Sequence, residues 1–361
     1  MSSVMDLLRP EIRALRPYRA AEYVGGFVRL NANENPWRPV GDTTRDGLNR
    51  YPDPHPAALA AQLAGTYGVA PAQALVTRGS SEAIDVLIRA FCRAGQDEIV
   101  ICPPTFGMYE VYAQVQGAII RRIPLRREQG YALPVAEILA TWQPTTRLVF
   151  VCSPNNPTGN QFARADVVAL CRGLEGRGVV VLDAAYAEFA ADDPTRDLLA
   201  GFEHVVVLRT LSKALGLAGV RCGTLLATPG LVAQLGGILP PYSFPTASQE
   251  AVLAALQPAA AAEASRRREL LLAERTRVGA ALARLADIRK VWPSDANFIF
   301  VESDAAAALV ARARDAGLLI RDFSQDPATP GGLRITIGAP EENDRLLAAL
   351  AAAGPREAAS A

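Results

Sequence analysis

The chain has 361 residues, half of them hydrophobic and a fifth charged, with 37 basic and 37 acidic side chains. A net charge of zero excludes the basic excess of a nucleic-acid binder, and the length suggests two structural units. Two histidines, His55 and His204, supply too few ligands for a histidine metal cluster. Five cysteines without C-x-x-C spacing read as buried, reduced thiols of a cytosolic protein.

The opening segment has charges every few residues and lacks the apolar core of a signal peptide, and its "LNANENPWRP" favours turns. A cytoplasmic protein is expected. Residues 1–45 are taken as an arm that joins the second, smaller domain. Between residues 74 and 227 short apolar runs alternate with loops and helical stretches: "ALVT" (74–77), "EIVIC" (98–102), "RLVFVC" (147–152), "VVVLD" (179–183), "HVVVLR" (204–209) and "GTLLA" (223–227). Continuous rather than alternating apolar runs predict strands covered on both faces, hence an α/β domain with a mostly parallel central sheet over 46–245. From about Phe244 the chain turns alanine- and arginine-rich and helical, then strand-like at "NFIFVE" and "LRITIG", which predicts a smaller α+β domain over 246–361 with a frayed tail at "GPREAASA".

In an open α/β sheet the loops beyond the carboxyl ends of the strands converge on one site. Here those loops carry "RGSSEA", "PPTFGMY", "SPNNPTG", "DAAY" and "RTLSK". The last holds Lys213, one of two lysines against 35 arginines; the other is Lys290. A side chain that can lose its proton near neutral pH and act as an amine nucleophile explains the exception better than surface charge does.

A Schiff-base lysine needs a carbonyl, and pyridoxal 5'-phosphate (PLP) supplies one. PLP also requires a phosphate site, a carboxylate for its ring nitrogen and donors for its phenolic oxygen. Gly79, Ser80 and Ser81 stand at a strand-to-helix turn that can bind an anion or merely cap the helix. Thr210, Ser212 and Arg221 add hydroxyls and a guanidinium. Asp183 ends a buried strand, where a carboxylate needs a partner such as a pyridinium or the donors of a turn. Asn156 and Tyr186 can donate to the phenolic oxygen, and Phe106 can stack on the ring or belong to the core.

In order, "NANENP", "NRYPDP", "TRGSSEAIDVLIRAFC", "CPPTFGMY", "VCSPNNPTG", "LDAAYAEF", "LRTLSKALGLAGVRCG", "LIRDF" and "LRITIG" resemble the histidinol-phosphate aminotransferases, class I/II aminotransferases of PLP fold type I. The match runs from about Leu30 to Gly338. The resemblance implies that Lys213 binds PLP covalently, Asp183 pairs with the pyridinium, and Asn156 and Tyr186 hold the phenolate. It implies a phosphate site of Ser80, Ser81, Thr210, Ser212 and Arg221. Tyr51 would reach the cofactor phosphate of a neighbouring subunit, making a homodimer with shared active sites. Arg321 and Arg334 would bind the substrate phosphate or the amino donor's carboxylate, and Tyr18 and Asn33 would contact substrate. Ala184 replaces the acidic residue of the usual "DEAY", and Phe106 replaces a stacking tyrosine. The activity implied is transfer of an amino group between L-histidinol phosphate and 2-oxoglutarate. An aromatic aminotransferase or a threonine-phosphate decarboxylase would keep the same fold and cofactor. A non-catalytic binding protein is opposed by the intact Lys213 and Asp183.

Overall fold

The computed structural model describes residues 3–22 and 27–351; the tail "GPREAASA" lies outside the described residues. Seven strands form the larger sheet: β1 (Ala74–Thr77), β2 (Glu98–Ile101), β3 (Ile119–Arg122), β4 (Thr146–Cys152), β5 (Val179–Asp183), β6 (Val205–Thr210) and β7 (Gly223–Leu226). Their spatial order is β1-β7-β6-β5-β4-β2-β3. Strands β3, β2, β4, β5 and β6 run parallel, whereas β7 is antiparallel to both β1 and β6.

The central strands are fully buried because consecutive side chains enter two different cores. Val149, Val151, Val180, Leu182, Val205 and Val207 pack on one face with the helix Ala57–Tyr67. Leu148, Phe150, Val179, Val181, Val206 and Leu208 pack on the other with the helix Ser80–Phe91. A period of two divided between two apolar layers leaves an unbroken hydrophobic run in the sequence.

A second sheet has the antiparallel order β10-β11-β9-β8, formed by β8 (Lys290–Val291), β9 (Phe298–Glu302), β10 (Arg321–Asp322) and β11 (Gly332–Thr336). It shares a third core with the far end of the long helix Pro258–Leu282 and the helices Ala306–Asp315 and Pro340–Ala351.

The arm departs from expectation at its start. Val4, Leu7 and Leu8 are buried in the core of the large sheet, Arg9 N donates to Ala90 O at 3.0 Å, and Ser3 Oγ donates to Glu203 Oε1 at 2.5 Å. Residues 3–9 therefore complete the large unit rather than the small one, because their apolar side chains join the core layer that also holds the helices Ser80–Phe91 and Pro229–Gly236. Farther on, Leu30, Trp37 and Val40 stand almost fully exposed.

Candidate active site

The parallel strands deliver their carboxyl ends to one cleft of about 230 Å³. Ser80 and Ser81 come from the helix after β1, Phe106 from the loop after β2, and Asn156 from the loop after β4. Asp183 ends β5 and Tyr186 follows it, while Thr210 ends β6 and Ser212, Lys213 and Arg221 lie between β6 and β7. Ten residues singled out in the sequence thus line one cavity.

Asp183 is the last residue of β5 and is 2 % exposed. Tyr109 donates its hydroxyl to Asp183 Oδ2 at 2.7 Å, and Ala185 N donates to Oδ1 at 3.2 Å. Among the described residues, no cation lies within ion-pair distance of this carboxylate. Burial pushes the Asp183 carboxyl above its ordinary pKa, against the lowering effects of the Tyr109 bond, the Ala185 amide and the Lys213 charge. A buried acid at the wall of a cleft, held by two donors and short of a cation, fits a protonated ring nitrogen.

Lys213 is exposed to the open cleft, with its amine 5.5 Å from the centre of the Tyr186 ring. Desolvation and the Arg334 charge lower its pKa, and Asp183 partly opposes them. The neutral amine is therefore favoured more than in a surface lysine. Tyr186 is buried against Phe298 of β9, ring edge to ring face at 5.2 Å, and burial raises its pKa, so its hydroxyl keeps its proton.

The anion end of the cleft depends on close backbone approach. Gly79, the cap of the helix Ser80–Phe91, has φ +78, and a Cβ there would lie 2.6 Å from Arg221 Nη2. A Cβ on Gly223 would lie 2.5 Å from Ser80 N. The two glycines let the helix N-terminus, with its free amides, meet Arg221, and Thr210 Oγ1 donates to Ser212 Oγ at 3.0 Å beside them. That set of amides, hydroxyls and one guanidinium fits a phosphate.

The small sheet meets the cleft at Asn156. Arg334 on β11 donates to Asn156 Oδ1, which turns the amide so that its NH2 group remains a donor toward other partners. Arg321 pairs in register with Arg334, and both guanidinium carbons lie 5.6 Å from the Phe323 ring centre. Among the described residues, neither arginine has a carboxylate within ion-pair distance. Two unneutralised guanidinium groups at one edge favour an anionic ligand.

Three expected contacts lie elsewhere. Tyr51 and Asn33 line a separate depression of about 500 Å³, where Tyr51 stacks on Tyr242 at 4.6 Å. Tyr18 is largely exposed. Sequence reasoning passed over Tyr109, which touches Asp183, and Cys152, which lines the cleft and pairs in register with Asp183. A signal for Tyr109 was present: it stands three residues after Phe106, one turn on, and its backbone N bonds to Phe106 O at 3.4 Å.

The family model described as aminotransferase class I and II matches residues 28–350. The histidinol-phosphate aminotransferase of Stenotrophomonas maltophilia is 42% identical over 356 residues, 98% of this chain and 98% of its own length. That of Aeromonas hydrophila is 41% identical, covering 96% of this chain and 98% of its own. The Sinorhizobium meliloti histidinol-phosphate aminotransferase, solved in complex with pyridoxal-5'-phosphate, superposes with a TM-score of 0.75 at 28% identity, over 84% of this chain and 82% of that one. The Clostridium acetobutylicum enzyme shares the fold at a TM-score of 0.76 and 19% identity, over 84% and 90% of the two chains.

Proposed function

Because the chain belongs to the class I and II aminotransferases, we propose that it moves an amino group between L-histidinol phosphate and 2-oxoglutarate, giving imidazole acetol phosphate and L-glutamate by alternating half-reactions. It is a PLP-dependent enzyme of fold type I. The observation that carries the reading is one cleft holding both an amine of lowered pKa, Lys213, and a buried carboxylate that lacks a cation, Asp183.

When bound, PLP supplies an aldehyde that captures an amino group and a ring that accepts the electron pair left at the substrate's α carbon. The side chains around the cleft divide the remaining work. Lys213 Nζ would anchor the cofactor, and as a free amine it would take up and return the proton of the substrate's α carbon. Asp183 would hold the ring nitrogen charged, while Asn156 and Tyr186 would donate to the phenolic oxygen. Phe106, which lines the cleft, would stack on the ring. The Ser80 and Ser81 amides, Thr210, Ser212 and Arg221 bind the phosphate. Arg334 and Arg321 take the far anion of either substrate, since a guanidinium fork matches phosphate and carboxylate alike.

The same reading makes the protein a cytoplasmic homodimer in which Tyr51 reaches the neighbour's cofactor phosphate, and Tyr18 and Asn33 contact substrate. The apolar side chains exposed on the arm, and the place of Tyr51 in a depression separate from the cleft, support it. The division into a cofactor-binding unit over 46–245 and a small unit over 246–361 belongs to the proposal too, supported by the third core of the small sheet.

Steady-state assays with histidinol phosphate plus 2-oxoglutarate, set against phenylalanine and threonine phosphate, test the substrate. Turnover of phenylalanine alone, or carbon dioxide release from threonine phosphate, would overturn it. Borohydride reduction of the holoenzyme followed by peptide mapping tests the anchor, with Lys213 rather than Lys290 expected to carry the label.

A further inference from the structure

Arg209 is the penultimate residue of β6, directly before Thr210, and none of the roles above uses it. Its side chain is 4 % exposed. Nη1 donates to Asp193 Oδ2 at 2.6 Å and to Thr195 Oγ1 at 3.2 Å, Nη2 donates to Glu188 Oε1 at 2.8 Å, and the guanidinium carbon lies 4.7 Å from the Tyr67 ring centre. Burial opposes the charge on Arg209, and Glu188 and Asp193 outweigh it.

Glu188 lies in the short turn Ala187–Phe189 that follows Tyr186. Backbone bonds close this turn, from Ala187 N to Ala184 O at 3.1 Å and from Phe189 N to Tyr186 O at 3.0 Å. Whatever holds Glu188 therefore holds Tyr186. One guanidinium joins the loop carrying Asp183 and Tyr186 to the strand end carrying Thr210, Ser212 and Lys213. The rear of the Lys213 loop is only partly packed: Ala214 and Leu215 touch the cores of the large sheet on one side and on the other line a cavity of about 520 Å³ that Glu188 and Arg209 also line. A loop packed on one side only leaves part of its positioning to such a tie.

We propose that Arg209 is a positioning residue for the transamination, one that sets Tyr186 and Lys213 in a fixed relation by gripping Glu188. This rests on the cofactor reading of the cleft given above. Lysine at 209 would keep the charge but lacks the planar fork that reaches Asp193, Thr195 and Glu188 together. Removing one partner of a buried ion pair leaves the other charge uncompensated, which moves the loop that carries it.

The test uses the full-length holoenzyme and two variants, Arg209→Lys and the near-isosteric Glu188→Gln. Three quantities are read: PLP affinity by titration of the cofactor-free protein, the pH midpoint of the visible band of the bound cofactor, and the melting temperature. A weaker Tyr186 bond to the phenolic oxygen disfavours the deprotonated chromophore, so the midpoint rises. The expected result is a PLP affinity about tenfold weaker and a midpoint about one unit higher in Arg209→Lys, with a smaller change of the same sign in Glu188→Gln. Should Arg209→Lys fail to fold, Glu188→Gln decides by itself. A fall in melting temperature with unchanged affinity and midpoint would mean a purely structural role and overturn the proposal. Wild-type protein that takes up no PLP would overturn this inference and the proposed function together, whereas variants that match the wild type overturn the inference alone.

Discussion

Around Asp183 and Lys213, loops from the ends of a single sheet close on one another. The side chains there are held within the chain: Asp183 by Tyr109 and Ala185, Thr210 by Ser212, and Arg221 by Ala218 O. Around Tyr51 and Asn33 the chain has little regular structure, Tyr51 is 51 % exposed, and Leu30, Trp37 and Val40 lie open. The contrast follows from what each region rests on. Strand ends inherit their positions from two buried apolar layers, so the site they carry is formed before any ligand arrives. The arm instead rests on polar ties within the chain, such as Glu34 with Arg29 and Arg50, and leaves its apolar side chains open to a partner.

The sharpest way to break this comparison is at the preformed half. Lys213→Ala is expected to lower turnover on the order of 10⁴-fold, since it removes both the covalent anchor and the proton carrier. The measurement is steady-state turnover together with the visible spectrum after gel filtration. Retained covalent cofactor would point to Lys290 instead.

Next in size is the anion edge. Arg334→Met is expected to raise KM for histidinol phosphate about 100-fold with a smaller change in kcat, because a charge-assisted contact to a substrate anion is lost. Arg321→Met, on the exposed β10, should cost less. Comparing both variants with histidinol phosphate and with glutamate asks whether one edge serves both anions. A loss confined to one substrate would show that it does not.

The arm is tested by mixing chains. Tyr51→Ala and Lys213→Ala protomers, each poorly active alone, are expected to form mixed dimers in which one site regains both intact residues. Activity should then exceed that of either parent. If mixing restores nothing, the two halves do not share sites across subunits.

Tyr109→Phe is a milder perturbation of the preformed half. Removing one oxygen takes away the hydrogen bond to Asp183 Oδ2 while leaving the ring stacked on Phe150, so PLP affinity should fall several-fold, about 1 kcal/mol. Isothermal titration of the cofactor-free variant reads it directly.

The smallest effect concerns stability. The Asp183 pKa is raised in the folded, cofactor-free protein above its ordinary 3.8. Between those two values the folded state keeps a proton that the unfolded chain has lost, so stability falls as pH rises through that window. Asp183→Asn removes this dependence. The melting temperature of cofactor-free Asp183→Asn should therefore gain on the wild type as pH climbs from about 4 toward neutrality. A gap independent of pH would contradict the raised value.

Much of the large sheet was legible because burial on both faces writes itself as an unbroken apolar run, as in "VVVLD" and "HVVVLR". Strand β3 was not, because "IIRR" lies at a sheet edge with its outer residues exposed. The direction of β7 was not either: an apolar run records burial, not polarity. The spacing of Tyr109 from Phe106 is visible in the sequence, but its partner Asp183 stands 74 positions away and only the fold brings the two together.

What the sequence determined by itself was the chemistry. A lysine in a chain of arginines, an aspartate closing an apolar run and a glycine before two serines each have an ordinary reading alone, and together they point to one cofactor. The tertiary structure decided which groups meet. Arg334 reaches Asn156 across 178 positions, Arg209 ties the two cofactor loops together, and the first residues of the arm join the large core. Such partnerships depend on long-range packing, in which many side chains share one geometry and no local pattern records the outcome.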